Sequence, residues 1–168
     1  MKRLILVLMT IGWLVACSKP EVQRVTLPFF VGFEGKPVTC ESQLQVNALT
    51  FYVHDIAVQD LQGNWQAVTL DNTSGSRWQN ESIALLDLAP CAVEPMGLNA
   101  LVLQVPAADY QGLRFSIGVP ERFNHQDPQL AQPPLDISQL QWHWSVGYKF
   151  AYFDLAWQGN TVKHHLGS

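Results

Sequence analysis

The sequence predicts an all-β domain, an antiparallel β-sandwich of Greek-key or immunoglobulin-like type with long ordered loops. Three observations carry this. Short β-branched and aromatic runs recur along the chain. Turn clusters of Gly, Pro, Asn and Asp separate them at short intervals, and helix is confined to short turns. Val25–Phe33 is the first strand-like run and stops at Glu34-Gly35-Lys36-Pro37. Leu44–Val58 contains LTFYVHDIAV, whose alternation places Tyr52, His54, Ile56 and Val58 on one face. A turn around Gly63 leads into Trp65–Leu70, expected to fold back as a hairpin. A polar loop, Asp71–Ser76, precedes Trp78 and the apolar run Ile83–Leu88. Leu101–Val105 and Gly112–Val119 are two further strands. Pro120–Leu135 holds four of the ten prolines and is expected to be ordered loop. Gln141–Trp157 is the longest strand-like run, one strand or two, and GNTVKHHLGS adds a turn and a last strand.

The first residues read as an address. Lys2 and Arg3 precede an apolar run from Leu4 to Ala16, shorter than the roughly 20 residues of a membrane span. The run ends in Leu14-Val15-Ala16-Cys17, a bacterial lipobox pattern in which Cys17 becomes the lipidated first residue. Ser18 is not the Asp linked to inner-membrane retention, so the expected place is the periplasmic face of the outer membrane, with the cell surface as the other placement. The organisation is then a signal peptide over 1–16, a lipidated linker over 17–24 and a single domain over 25–168. Without Lys2 and Arg3 the chain has 8 basic and 14 acidic residues, a net charge of −6. That balance argues against nucleic acid and against an electrostatic grip on anionic lipid. Cys40 and Cys91 form an even pair, which reads as a disulfide in an oxidising compartment, with a copper thiolate site as the rival.

Chemistry concentrates between Gly118 and Phe150. Alternation over Gln141–Trp157 puts Trp142, Trp144, Val146, Tyr148 and Phe150 on one face, and His143, Ser145 and Lys149 on the other. That aromatic face reads first as core, and His143 turns outward. His54 lies among apolar residues, as a buried neutral imidazole or as a ligand. His125 follows Asn124 and precedes Asp127, a carboxylate placed to orient an imidazole from behind, although a plain turn has the same composition. Of His164 and His165, only one can point at a given site. Imidazole is the commonest transition-metal ligand, and no nucleophile elbow, phosphate loop, dinucleotide fingerprint or HExxH is present. The chain is expected not to be an enzyme.

The succession FYVHDIAV, WQNESIALLDL, YQGLRFSIGVPERFNHQDP, PPLD, WHWSVGYKF and HLGS resembles the MbnP-like periplasmic copper-binding proteins, also described as metallo-mystery-pair four-Cys proteins. The resemblance runs over most of the mature chain, and GVP plus NH, with WxW followed by GYKF, are its most specific pieces. It implies a copper-binding β-sandwich acting beside MbnH, a MauG-like dihaem protein of the cytochrome c peroxidase type. It further implies that this partner oxidises a Trp to kynurenine, whose amine and carbonyl join imidazole nitrogens in a mononuclear Cu(I) or Cu(II) site. Carried over by position, His125 is the first ligand candidate and His54 the second. His165 of HLGS has an open role and completes the candidate set. Trp144 or Trp142 is the expected oxidation target, with Trp78 of RWQN as the outside choice. Asp127 and Asn124 are the expected supporting residues.

One departure stands out. The family usually carries four structural cysteines, whereas this chain retains Cys40 and Cys91 after the lipobox and ends at Ser168. Either the sequence is truncated or this member lacks a second crosslink, at a stability cost of roughly a few kcal/mol. The expected function is copper homeostasis in the periplasm. The rival readings are a β-sandwich interaction or adhesion module with structural histidines, and a copper-dependent redox enzyme.

Overall fold

The computed structural model describes residues 21–127, 129–143 and 146–167. In chain order the described strands are β1 (Val22–Pro28), β2 (Gly32–Phe33), β3 (Lys36–Pro37), β4 (Gln45–Asp60), β5 (Trp65–Ala67), β6 (Thr69–Leu70), β7 (Ile83–Asp87) and β8 (Ala100–Pro106). β9 (Tyr110–Ile117), a one-turn helix α1 (Glu121–Asn124), β10 (Gln141–His143), β11 (Gly147–Trp157) and β12 (Asn160–Gly167) complete the chain. The predicted signal and lipobox, including Cys17, lie outside the described residues, and so does Trp144.

β4 is the axis. Phe51 pairs with Ala151 on one edge and Leu86 on the other, while Val53 pairs with Ile117 and Ala84. β11 and β9 therefore follow one another along one edge of β4, and β7 and β5 along the other. β12 adds to β11, and β10 forms a hairpin with it. A second, three-stranded sheet has the order β1-β8-β6. All of these strand pairings are antiparallel. The fold is the expected all-β sandwich.

The large sheet is buried on both faces. Val53, Ile56, Val58, Ala84 and Leu86 on one face meet Leu101, Leu103 and Val105 of the small sheet. Tyr52, Ile83, Leu85 and Tyr148 on the other meet Val119, Leu135, Ile137 and Leu140, which come from loop and turn rather than from a third sheet. Every residue of β7 is consequently buried, which is why Ile83–Leu86 reads in sequence as a continuous apolar run instead of an alternation.

Three local expectations are corrected. First, Tyr52, His54, Ile56 and Val58 do not share a face, because Tyr52 packs in the loop-covered core while Ile56 and Val58 pack against the small sheet. The register shifts between His54 and Ala57, and Asp55 sits there at φ +50°. A bulge adds one residue and so inverts the alternation beyond it. Second, Trp65–Leu70 is two strands: β5 closes the expected hairpin on β4, and β6 crosses to the small sheet beside β8. Third, Gln141–Trp157 is two strands, one of the two expected forms, and the turn between them breaks the expected shared face: Trp142 and Val146 are about half exposed while Tyr148 is buried. The first strand also starts at Val22, ahead of Val25, and ends at Pro28.

Two ties hold the small sheet and its loops. Asp71, fully buried, accepts from Thr73 N and Oγ1 at 3.0 and 2.6 Å and from Gln104 Nε2 at 3.0 Å, with Arg24 at 2.7 Å. Those hydrogen bonds, the Thr73 hydroxyl first, hold its carboxyl below the usual range. A disulfide joins Cys40, after β3, to Cys91, after β7, across 51 residues of sequence.

Closing a loop of that length removes about 4 kcal/mol of unfolded-state entropy. Cys40→Ser with Cys91→Ser is expected to lower unfolding stability by about 2–4 kcal/mol in urea titration. Asp71 titrates lower when folded than when unfolded, so its contribution is complete above about pH 4 and fades as pH falls through the folded value. Asp71→Asn should be less stable than wild type at pH 7 and show a flatter loss between about pH 4 and 2 in thermal melts.

Candidate metal centre

The loop that carries His125 is anchored at both ends. Gly118 leaves β9 at φ +133°, donates its N–H to Tyr52 O at 2.9 Å and lies against the Phe150 ring, where a Cβ would come within 3.2 Å. Both the positive φ and the close ring require glycine. Pro120 then opens α1, with Phe123 and Asn124 donating back to its carbonyl. Asn124 is buried, and its Oδ1 accepts the Tyr148 N–H at 3.0 Å. His125 is the next residue, exposed at the end of α1.

Beyond it, two buried tyrosines suspend the Pro-rich segment over the sheet. Tyr52 Oη donates to Pro134 O at 3.1 Å and Tyr148 Oη to Leu135 O at 2.8 Å, with the rings edge-to-face at 6.0 Å. Asn80 Nδ2 adds a bond to Pro133 O at 3.0 Å, and Gln141 Nε2 one to Leu135 O at 3.0 Å. Burial raises both phenol pKa values, so each hydroxyl stays protonated and remains a donor. Proline is suited here because the segment offers carbonyls rather than N–H groups to its partners.

The candidate imidazoles fall on three elements. His54 on β4 is mostly buried; its Nδ1 makes no hydrogen bond and lies 2.9 Å from the Asp55 carboxylate. Beyond the last β4–β11 pair, Phe51 with Ala151, that edge of β4 passes to β9, where His54 pairs with Ser116. Asn124 fixes the His125 segment to Tyr148, at the root of the β10–β11 hairpin. His165 comes to the hairpin from β12: it pairs with Tyr152, stacks on its ring at 4.9 Å and meets Trp142 edge-on at 5.3 Å. His164 faces the other way, against Phe153.

His54, His125 and His165 do not converge, and among the described residues no three His, Cys, Asp or Glu side chains form a group able to hold a metal. The reason is topological, because His165 sits on an edge strand two strands away from β4, four residues along from His54. Asp127 is bound to its own turn, accepting from Gln129 N at 2.9 Å, and Asn124 to Tyr148; neither hydrogen bonds to His125. Trp78 is half-buried in the loop-covered core with Arg77 over its ring at 5.0 Å. Trp142 is half exposed, with the Lys149 ammonium 4.9 Å from its centroid and held there by Gln139 O at 2.9 Å. Sequence reasoning named Asn124 as a supporting residue but missed the roles of Tyr52 and Tyr148; the prolines of the loop were the available signal, since carbonyl-rich cover over a sheet needs buried donors.

A family model described as MbnP matches residues 22–168 of the chain. Among solved structures, MbnP from Methylosinus trichosporium is similar in fold, with a TM-score of 0.68 and 24% identity over 88% of this chain. The match spans 63% of that protein's chain, so this chain covers less than two thirds of its relative. No curated protein sequence matches.

Tyr148→Phe would leave Leu135 O with only the Gln141 donor and should cost about 1 kcal/mol in chemical unfolding. It should also raise amide exchange across residues 129–137 while leaving β1 and β8 unchanged.

Proposed function

The chain belongs to the MbnP family, and from that premise we propose that it is a periplasmic, lipid-anchored copper-binding protein of copper homeostasis whose site is completed by oxidation of a hairpin tryptophan. The observation that supports this is the bond of Asn124 Oδ1 to the Tyr148 N–H, which brings the His125 segment to the root of the WHW hairpin. Two imidazoles suit copper. They are too few by themselves, and an indole N–H is a donor only, with no lone pair for a metal. Oxidation of a tryptophan to kynurenine would open the indole and supply an aromatic amine and a carbonyl. The residues present therefore fit copper after that modification rather than before it.

Of Trp142 and Trp144, the surroundings of Trp142 argue against it as the target. An ammonium over an indole stabilises the neutral ring and opposes removal of an electron from it, and Lys149 holds that position over Trp142. A MauG-like dihaem protein is the proposed oxidising partner. Bound copper would supply a redox-active, Lewis-acidic centre. His54 and His125 would hold it, Asn124 would fix the His125 backbone, and the Pro-rich segment would keep water from the inner side of the hairpin. His165, packed between Tyr152 and Trp142, is left outside this set. The role is binding, without turnover. Cys17 would tether the domain to the outer membrane.

Co-expression with the dihaem partner is expected to change the intact mass by oxygen gain and carbon loss at one tryptophan, mapped by peptide sequencing to Trp144. One copper per chain should then be retained through dialysis, and His54→Ala or His125→Ala should lose it. Modification at Trp142 instead would reverse the choice of target. Unchanged mass and no copper with the partner present would leave an interaction module with structural histidines as the function. Cys17→Ala should release the protein from the membrane fraction.

A further inference from the structure

The bulge at Asp55 opens a second feature on β4, away from the hairpin. β7 pairs with β4 as far as His54 and β5 resumes at Ala57, with Val68 N donating to Ile56 O at 3.0 Å between them, so the sheet edge has a gap at Asp55. A cavity of about 300 Å³ fills this gap. Its apolar lining is Ile56, Ala57, Ala67, Val68 and Leu70, and its polar lining includes Arg114 of β9 and Arg122 of α1.

The state of the arginines is what makes the cavity informative. Of the four arginines among the described residues, Arg24 pairs with Asp71 and Arg77 with Asp136, each at 2.7 Å. Arg114 and Arg122 make no ion pair and no side-chain hydrogen bond; they rest on the rings of Trp65 and Phe123 at 4.7 and 4.5 Å. In a chain with more acidic than basic residues, both uncommitted guanidiniums line one cavity. Two carboxylates share the lining, Asp55 against His54 Nδ1 at 2.9 Å and Glu81 accepting from Asn72 Nδ2 at 2.6 Å, and neither pairs with these arginines. Stacking on an aromatic ring orients a guanidinium and leaves its N–H edge available for a planar anion.

We propose that this cavity binds a small organic carboxylate, with Arg114 and Arg122 clasping the carboxyl group and Ile56, Val68 and Leu70 receiving its apolar body. Two forked donors match the two oxygens of a carboxylate, and the volume lies at the small end of ligand cavities. An apolar floor under the charges selects against a bare inorganic anion. The site is independent of the metal reading, because its residues are not His54, His125 or the hairpin tryptophans. Asp55 links the two in space, so its bulge would set the geometry of the cavity while its carboxylate faces the imidazole.

Hexanoate and inorganic phosphate, titrated separately into the mature chain, would test it, followed by the Arg Nε–H signals and by the methyls of Val68 and Leu70. Saturable shifts of Arg114, Arg122 and both methyls are expected with hexanoate, and at least tenfold weaker binding with phosphate. Arg114→Gln and Arg122→Gln should each weaken hexanoate roughly tenfold, the scale of one charge-assisted hydrogen bond. Lys36→Gln, the same charge change elsewhere, should leave it unaltered. Ala67→Leu, which fills the floor, should abolish hexanoate binding while the protein keeps its melting temperature within a few degrees. No saturable shift, equal binding of phosphate, or indifference to both arginine variants would each overturn the proposal. None of these outcomes depends on copper, so the two readings fail separately.

Discussion

The fold depends on the double burial of β4. This strand pairs with β11 and β9 along one edge and with β7 and β5 along the other, and its side chains feed two cores. A strand covered on both faces has little solvent-facing surface for polar residues, and β7 beside it is apolar from Ile83 to Leu86. The single inversion of its alternation at Asp55 is therefore consequential. Without that extra residue, Ile56 and Val58 would point toward the loop-covered side and the small sheet would lose contacts to both. Aspartate tolerates the left-handed backbone better than most residues, which lets the bulge sit at a non-glycine position.

Covering one face of a sheet with a loop rather than a sheet poses a hydrogen-bonding problem, and the tyrosines solve it. The loop's carbonyls face a core, where an unpaired acceptor is costly. Tyr52, Tyr148, Asn80 and Gln141 supply donors from the sheet side. The same arrangement orders the chain on either side of it. His125 is placed because Asn124 is bonded to Tyr148, and the β10–β11 hairpin is placed because Tyr148 is buried at its root. Position at the hairpin is thus inherited from packing in the second core.

Much of the fold was legible because its signals are local. The strands over Gln45–Asp60, Ile83–Asp87, Ala100–Pro106 and Asn160–Gly167 announce themselves by β-branched and aromatic runs between turn residues. The division of Trp65–Leu70 between two sheets was not legible, since nothing in six residues records which partner each half meets. The candidate site divides in the same way. His125, and the likeness of its surroundings to the MbnP family, lie in the order of residues; the separation of His165 from His54 does not, because it arises from strand order across the sheet.

By itself, the sequence determined the fold class, the family, the pairing partner available to Cys40 and the residue types able to bind a metal. Those follow from composition, period and motif, each set within a few residues or by simple count. Tertiary structure decided that the His125 segment is fixed at the root of the hairpin, that His165 packs against Trp142 and Tyr152, and that Arg114 and Arg122 line one cavity without pairing with its carboxylates. Each of those depends on contacts between elements far apart in sequence and on a one-residue bulge. The alternation of a strand cannot reveal that bulge, because the extra residue obeys the same local rules as its neighbours.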